Sequence, residues 1–297
     1  MKSAAVSRRD FLMAGAQASA ALAAGAAFGA RPKANIRFGF TTYTWGKDWD
    51  IPTLIANCQK ARAFGVELRT SGGYAHGVEL EIGPERRKEV KKQFEDSPVK
   101  LVGLATGERF DAPDPAKVKA AVENAKGFVR LSHEVGSTGV RVFPNDYHKE
   151  EPRERTVERI ADALNAVGAF AADYGQEVRL EAHGSAGDLE SIAAIMGRVN
   201  QPSVRVKLNS SARDAQGEGF AHNFRLVQPY VGHTVHLHDQ KDPEFPYQLQ
   251  LDLLAAMGWD GWMLLEASDK VEDRVAALIE QRELFEQMLA RAMEKAG

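Results

Sequence analysis

The chain has 297 residues, 44% of them hydrophobic, which is enough to bury one large core, and it contains no long run of charge of either sign. Its formal net charge is -3; the first 30 residues carry +2 (Lys2, Arg8 and Arg9 against Asp10), so the remainder carries -3 - 2 = -5, a balance that repels a phosphate backbone and excludes nucleic acid as a partner. The lone cysteine, Cys58, sits in an apolar helical pattern and has no second cysteine to pair with, so neither a disulfide framework nor thiol chemistry is expected.

Residues 7–30, SRRDFLMAGAQASAALAAGAAFGA, have a basic start, an Ala-rich stretch and a small-x-small ending at Ala27, Phe28 and Gly29. That is the pattern of an export signal with its cleavage site. The stretch is too short and too weakly apolar for a membrane span, so no stable membrane insertion is expected. Ser7, Arg8, Arg9, Asp10, Phe11 and Leu12 resemble the twin-arginine signal of bacteria, which implies export of a folded protein to the periplasm. The expected organisation is a signal over residues 1–30 and a single domain over 31–297.

Ile36 to Thr44, IRFGFTTYT, is rich in β-branched and aromatic residues and reads as a strand. Asp50 then offers an N-cap with Pro52 in the first turn; Ile51, Leu54, Ile55 and Cys58 recur at helical spacing; Gly65 is expected to stop that helix before VELR. The same punctuation, a helix ending at glycine before a short apolar run, returns in EVGSTG-VRVF, DYGQE-VRLE and AMGWDG-WMLLE. With KLVGLA (Lys100 to Ala105), VRVKLN and HTVHLHD, these make eight strands separated by helical segments, which matches a (β/α)8 TIM barrel. An open doubly wound sheet shares the alternation, but no glycine-rich nucleotide fingerprint follows the first strand. The polar stretches TGERFDAPDP, PNDYHKEEP, NSSARDAQGEG and DQKDPEFPY then fall after strands, where a barrel builds its active site, and Val271 to Met293 closes the chain as a helix.

Period-two alternation places chemistry on one face of the late strands. In HTVHLHD, His236 and His238 oppose Val235 and Leu237; in VRLEAH, Arg179, Glu181 and His183 oppose Val178, Leu180 and Ala182; in VRVKLN, Arg205, Lys207 and Asn209 oppose Val204, Val206 and Leu208. WMLLEA adds Glu266. Glu181, Asn209, His236 and Glu266 are an oxygen and nitrogen set suited to a divalent metal, with Mn2+ or Mg2+ preferred to Zn2+ or Co2+ on the mostly oxygen donors. The plainer alternative for the two carboxylates is an ion pair with Arg179, Arg205 or Arg141 deeper in the barrel. His183 and His238 are candidates for a substrate hydroxyl or for orienting a metal ligand, Lys207 for a substrate oxyanion or a structural ion pair, and Glu67, which shares its face with Arg69, for pairing with neighbouring charges or a further sugar contact. Tyr43, Trp45, His76, Glu108, Asn145 and Tyr247 are candidates for the pocket wall.

GVELR, VRLEAHG, KLNSS, VHLHD and GWDGWMLLEAS, in that order and spacing, resemble the xylose isomerase-like TIM barrels, a family of sugar phosphate isomerases and epimerases, over about residues 35–290. The resemblance implies one divalent metal held by Glu181, Asn209, His236 and Glu266. Asn209 stands where the family carries Asp, and Ala212 where it carries His. It also implies a metal-dependent sugar isomerase or epimerase in which Glu181 and Glu266 move a proton next to a carbonyl. Two other readings stay open: a keto-sugar lyase or dehydratase using the same metal and base, and an exported sugar-binding protein without turnover. A nuclease of the endonuclease IV type needs more ligands than the chain offers. A homo-oligomer is left open.

Overall fold

The computed structural model describes residues 33–297, so the twin-arginine segment lies outside the described residues. Eight strands, β1 (Asn35–Thr41), β2 (Gly65–Arg69), β3 (Lys100–Arg109), β4 (Gly139–Phe143), β5 (Glu177–Glu181), β6 (Val204–Lys207), β7 (Thr234–Leu237) and β8 (Asp260–Leu265), alternate with helices. The helices are α1 (Ile51–Ala61), α2 (Pro84–Glu95), α3 (Pro115–Glu134), α4 (Arg153–Asp173), α5 (Leu189–Met196), α6 (Phe220–Val227), α7 (Tyr247–Ala256) and α8 (Arg274–Ala296). All sheet neighbours are parallel, in the order β6-β5-β4-β3-β2-β1-β8-β7. The seam between β6 and β7 is narrower: it carries a bridge between Val206 and Val231 and the bond from His236 N to Leu208 O at 2.9 Å. The result is the nearly closed (β/α)8 barrel read from the strand spacing.

Local chemistry sets most of the boundaries. Asp50, Asp114, Asp188 and Asp273 each precede a helix and accept a hydrogen bond from its first-turn N–H groups. Because Asp273 bonds both Val275 N and Ala276 N, α8 begins at Arg274 rather than at Val271. The first helix also ends earlier than expected, at Arg62 in the left-handed region (φ 56°), and Gly65 opens β2 instead of stopping the helix. Gly65 is needed for space: a Cβ there would lie 2.3 Å from the Trp262 ring. Similarly, a Cβ on Gly103 would lie 2.8 Å from Glu67 Oε2. β3 runs on to Arg109 through an irregularity in its pairing with β4, from Ala105↔Arg141 to Arg109↔Phe143, so the expected loop TGER is strand.

The aliphatic faces of the strands pack outward on the helices, as in the contact of Phe38 with Phe285 (centroids 5.3 Å apart). The inward faces are unusually charged: Glu67, Arg141, Arg179, Glu181, Lys207 and His236 are all at most 2% exposed. Among the described residues, no helix is long and apolar enough to cross a membrane.

Candidate active site

The C-terminal strand ends open onto a cavity of about 380 Å³, whose walls include Arg69, Glu181, His183, Asn209, His238 and Glu266. A second cavity, about 510 Å³, lies at the opposite end of the barrel around Arg37, Glu177, Arg205 and His233. That end of a barrel serves stability, and its Glu177 carboxylate is already engaged, by Arg179 at 2.6 Å and His233 at 3.0 Å.

His236 is fully buried beneath the upper cavity, behind the lining residues Glu181 and Glu266. Its Nε2 lies 2.9 Å from Glu67 Oε1, and both oxygens of Glu67 accept from Lys207 Nζ at 2.6 Å. Burial alone would raise the Glu67 carboxyl, but the Lys207 charge and the His236 hydrogen bond hold it well below the usual carboxylate range. Burial draws the Lys207 ammonium below its ordinary value, opposed by Glu67. With Nε2–H donated to Glu67, a neutral ring would present Nδ1 as a ligand atom and a protonated ring would present it as a donor. Nδ1 faces two carboxylates, Glu181 Oε2 at 3.3 Å and Glu266 Oε2 at 3.5 Å.

With the ring neutral, three acceptors converge here, an arrangement that a bound cation would relieve. His236 Nδ1, Glu181 Oε2 and Asn209 Oδ1 are buried without a hydrogen-bond partner. One ligand atom from each of Glu181, His236 and Glu266 lies within 4.8 Å of the others. This donor set fits a divalent ion, with the Glu67 carboxylate orienting the imidazole from behind.

The plainer ion-pair alternative is present as well. Arg141 Nε lies 3.4 Å from Glu181 Oε2, while Arg179 is committed to Glu177 at the other end. Against the effect of burial, Arg141 is the foremost of the charges that bring Glu181 below its ordinary value. The Arg141 guanidinium lies 4.0 Å from the Phe143 ring centroid, and Glu266 has its own cation in Arg69, 3.4 Å away and stacked on Tyr43.

Two sugar-contact assignments need correction. Glu67 and Lys207 are both 0% exposed and bind each other beneath the cavity, because β2 and β6 bring them to the same level of the barrel interior. His183 and His238 do line the cavity; His238 Nδ1 is fixed 3.1 Å from the Glu266 carbonyl. Tyr43 and Asn145 are in the wall too. Trp45 instead lines an adjoining cavity with Asp239 and Gln281, Glu108 faces a separate groove beside Ser71, and Tyr247 is buried against Phe245. Arg109 and Phe143 are wall residues that the sequence did not single out. Ser71, Asn145 and Ser210, just past the ends of β2, β4 and β6, have φ of 62°, 66° and 56°, so the rim is built from backbone that L-residues adopt at a cost.

His76 is not in the wall. It is fully buried, its Nε2 is 3.0 Å from Arg69 O and its Nδ1 accepts from Val78 N at 3.1 Å, so it pins the loop after β2 as a neutral ring. Burial pushes its pKa down to about 4. The stability from this neutral ring is therefore complete above pH 6.5 and is lost as the pH falls toward 4. Between pH 7 and 5 the loss is about 2 kcal/mol for a group with these two values. Urea titrations at both pH values are expected to show that slope in the natural chain and to lose it in His76→Gln; an unchanged slope would mean other groups carry it.

Residues 55–288 match the family model for the xylose isomerase-like TIM barrel, and the chain belongs to that family. No curated protein sequence is significantly similar to it. Among solved structures, an L-ribulose 3-epimerase superposes with a TM-score of 0.74 at 16% identity, over 88% of this chain and 97% of the other. A 3-keto-D-glucoside 4-epimerase from E. coli superposes at 0.70 and 13% identity, over 86% and 100%. The IolI protein with a bound zinc atom superposes at 0.69 and 15% identity, over 88% and 99%. At such identities the likeness carries the fold.

Proposed function

We propose that this member of the xylose isomerase-like barrels is a metal-dependent sugar isomerase or epimerase that moves a proton on the carbon next to a carbonyl. The observation that carries the reading is the convergence of Glu181, His236 and Glu266 within 4.8 Å of one another at one cavity, with His236 Nδ1, Glu181 Oε2 and the Oδ1 of the lining residue Asn209 all buried and unpartnered. A divalent ion held by Glu181, His236 and Glu266, with the Asn209 amide oxygen beside them, supplies positive charge next to the reacting carbonyl. Glu181 and Glu266 approach from β5 and β8, so one carboxylate takes the carbon-bound proton and the other returns it. Arg141 favours the ionised, proton-accepting form of Glu181. Glu67 and Lys207 hold the His236 ring in one tautomer. His183 and His238, at the cavity wall, are placed for substrate hydroxyls. The epimerases among the structural neighbours support the reaction class.

Conversion of ketohexoses by the metal-loaded chain in D2O tests the reading. Solvent deuterium at the carbon beside the carbonyl is the expected result. Conversion without label means a hydride shift, loss of water from the product means elimination, and binding without conversion means a binding protein. Elemental analysis is expected to find about one divalent ion per chain, Mn2+ or Mg2+ before Zn2+ or Co2+, and little in His236→Ala. Equal metal in the two proteins would remove the site.

Export to the periplasm belongs to the same reading and rests on SRRDFL ahead of an Ala-rich stretch. Replacing Arg8 and Arg9 by Lys is expected to leave the protein in the cytoplasmic fraction of a bacterial host, and an unchanged periplasmic yield would refute the twin-arginine route.

A further inference from the structure

The carboxylates of the site are already neutralised by the protein. Glu67 has Lys207 at 2.6 Å, Glu181 has Arg141 at 3.4 Å and Glu266 has Arg69 at 3.4 Å. Arg109 adds a fourth cation to the cavity wall. Asn209, between Lys207 and the cavity, is an amide and contributes no charge. Two further carboxylates lie near Arg109 outside the cavity lining: Glu108, beside it in the chain, and Asp146, which is turned to Ser185 N and Asn145 Nδ2, both at 2.9 Å. Four cations thus face five carboxylates when Glu108 and Asp146 are included, and the cluster sums to 4 - 5 = -1 before any ion is bound. A divalent ion would make it +1, in a site whose floor is fully buried. An uncharged sugar leaves that excess uncompensated at low dielectric, whereas an oxyanion on the ligand offsets it.

The excess also has a direction. Asp239, Asp242 and Asp269 line the adjoining cavity past β7 and β8, so that side is acidic. Arg69 and Arg109 stand at the ends of the neighbouring strands β2 and β3, so this side is basic. Glu108, between them in the chain's order, faces a different groove. Arg69 is held flat on Tyr43 with its ring contact at 4.6 Å, which limits the rotamers its fork must lose on binding an anion. The three nitrogens of Arg141 are buried without a hydrogen-bond partner, one layer below Phe143 in the cavity wall.

We infer that the ligand of this pocket is an anionic sugar, one bearing a carboxylate or a phosphate, with its oxyanion on the Arg69 and Arg109 side and its reacting carbon over Glu181 and Glu266. The inference deepens the proposed isomerase reading and rests on it for the word substrate, but the charge preference is a binding property and is measured without turnover.

Calorimetry on the full chain, chelator-treated and Mn2+-loaded, with D-gluconate, D-glucose 6-phosphate and neutral D-glucitol as probes, decides it. The expected result is that an anionic probe binds at least about tenfold more tightly than D-glucitol, as one charge-assisted contact allows, and that the gap is wider with Mn2+ and narrower at high salt. Which anion binds separates the carboxylate from the phosphate source. Arg109→Gln, at an exposed position where misfolding is not expected, should remove most of the preference, and Arg69→Lys should weaken it by breaking the planar fork while keeping the charge. Equal binding of all three probes, no measurable anion binding, or a preference unchanged in Arg109→Gln would each overturn the inference. Charge-selective binding with no turnover of any sugar would instead sink the isomerase reading and leave the ligand class standing.

Discussion

Replacing Glu181 or Glu266 with Gln is expected to lower turnover by at least about a thousandfold while leaving the barrel folded. A general acid or base contributes about 100 to 10,000-fold, and in the proposed mechanism these two residues would combine that task with holding a divalent ion, so the expected loss belongs at the upper end or beyond it. The two variants are not equivalent in stability. Glu266 is at the mouth and its partner Arg69 is partly exposed, with 28% of its side chain accessible, so water can replace the lost contact. Glu181 faces Arg141, which is 1% exposed with no hydrogen-bond partner on any of its three guanidinium nitrogens. Glu181→Gln therefore leaves a buried guanidinium without its charge partner and is expected to be the less stable of the two. Circular dichroism and urea unfolding report the fold, and steady-state kinetics report the chemistry. Turnover of either variant within tenfold of the natural chain would rule out the two-carboxylate proton route.

Lys207→Met is expected to destabilise the barrel by about 3–5 kcal/mol, because it strands an ionised Glu67 in a site from which water is excluded. The companion double variant, Lys207→Met with Glu67→Gln, removes both charges and is expected to recover most of that loss, since a neutral amide can still accept from His236 Nε2. The pair also reaches the proposed metal site. Glu67 is the group behind His236, and second-layer carboxylates of this kind are worth about 10 to 100-fold in metal affinity. Glu67→Gln is therefore expected to weaken Mn2+ binding even where stability is regained. Urea unfolding of the single and double variants, with Mn2+ titration of each, separates the two effects. A double variant as unstable as Lys207→Met would show that the ion pair is not what stabilises this layer.

Much of this protein was legible before any coordinates. Strand and helix alternate through the chain because apolar runs of period two are separated by segments with helical spacing, and eight such units admit few closed arrangements. The inward face of each late strand followed from the same alternation: once Val235 and Leu237 pack outward, His236 must point inward, and Glu181, Asn209 and Glu266 follow by the same rule on their own strands. Of the misplaced boundaries, the start of β2 turned on a contact made only in the closed barrel, since Gly65 makes room for the Trp262 ring, whereas the start of α8 turned on the local cap at Asp273.

The sequence by itself determined the architecture and which residues face the barrel axis; only the tertiary structure decided what each of them meets there. Period two assigns a face but not a height, and height is set by strand tilt and stagger around the whole closed sheet. Lys207 and Asn209 share one face of one strand, yet the first is sealed beneath the cavity against Glu67, 140 positions away, and the second lines it. Arg109 reaches the wall because an irregularity lets β3 run four residues past Ala105. Whether a buried charge is a ligand contact or a structural pair depends on partners drawn from other strands, and those distances come into being only when the barrel closes.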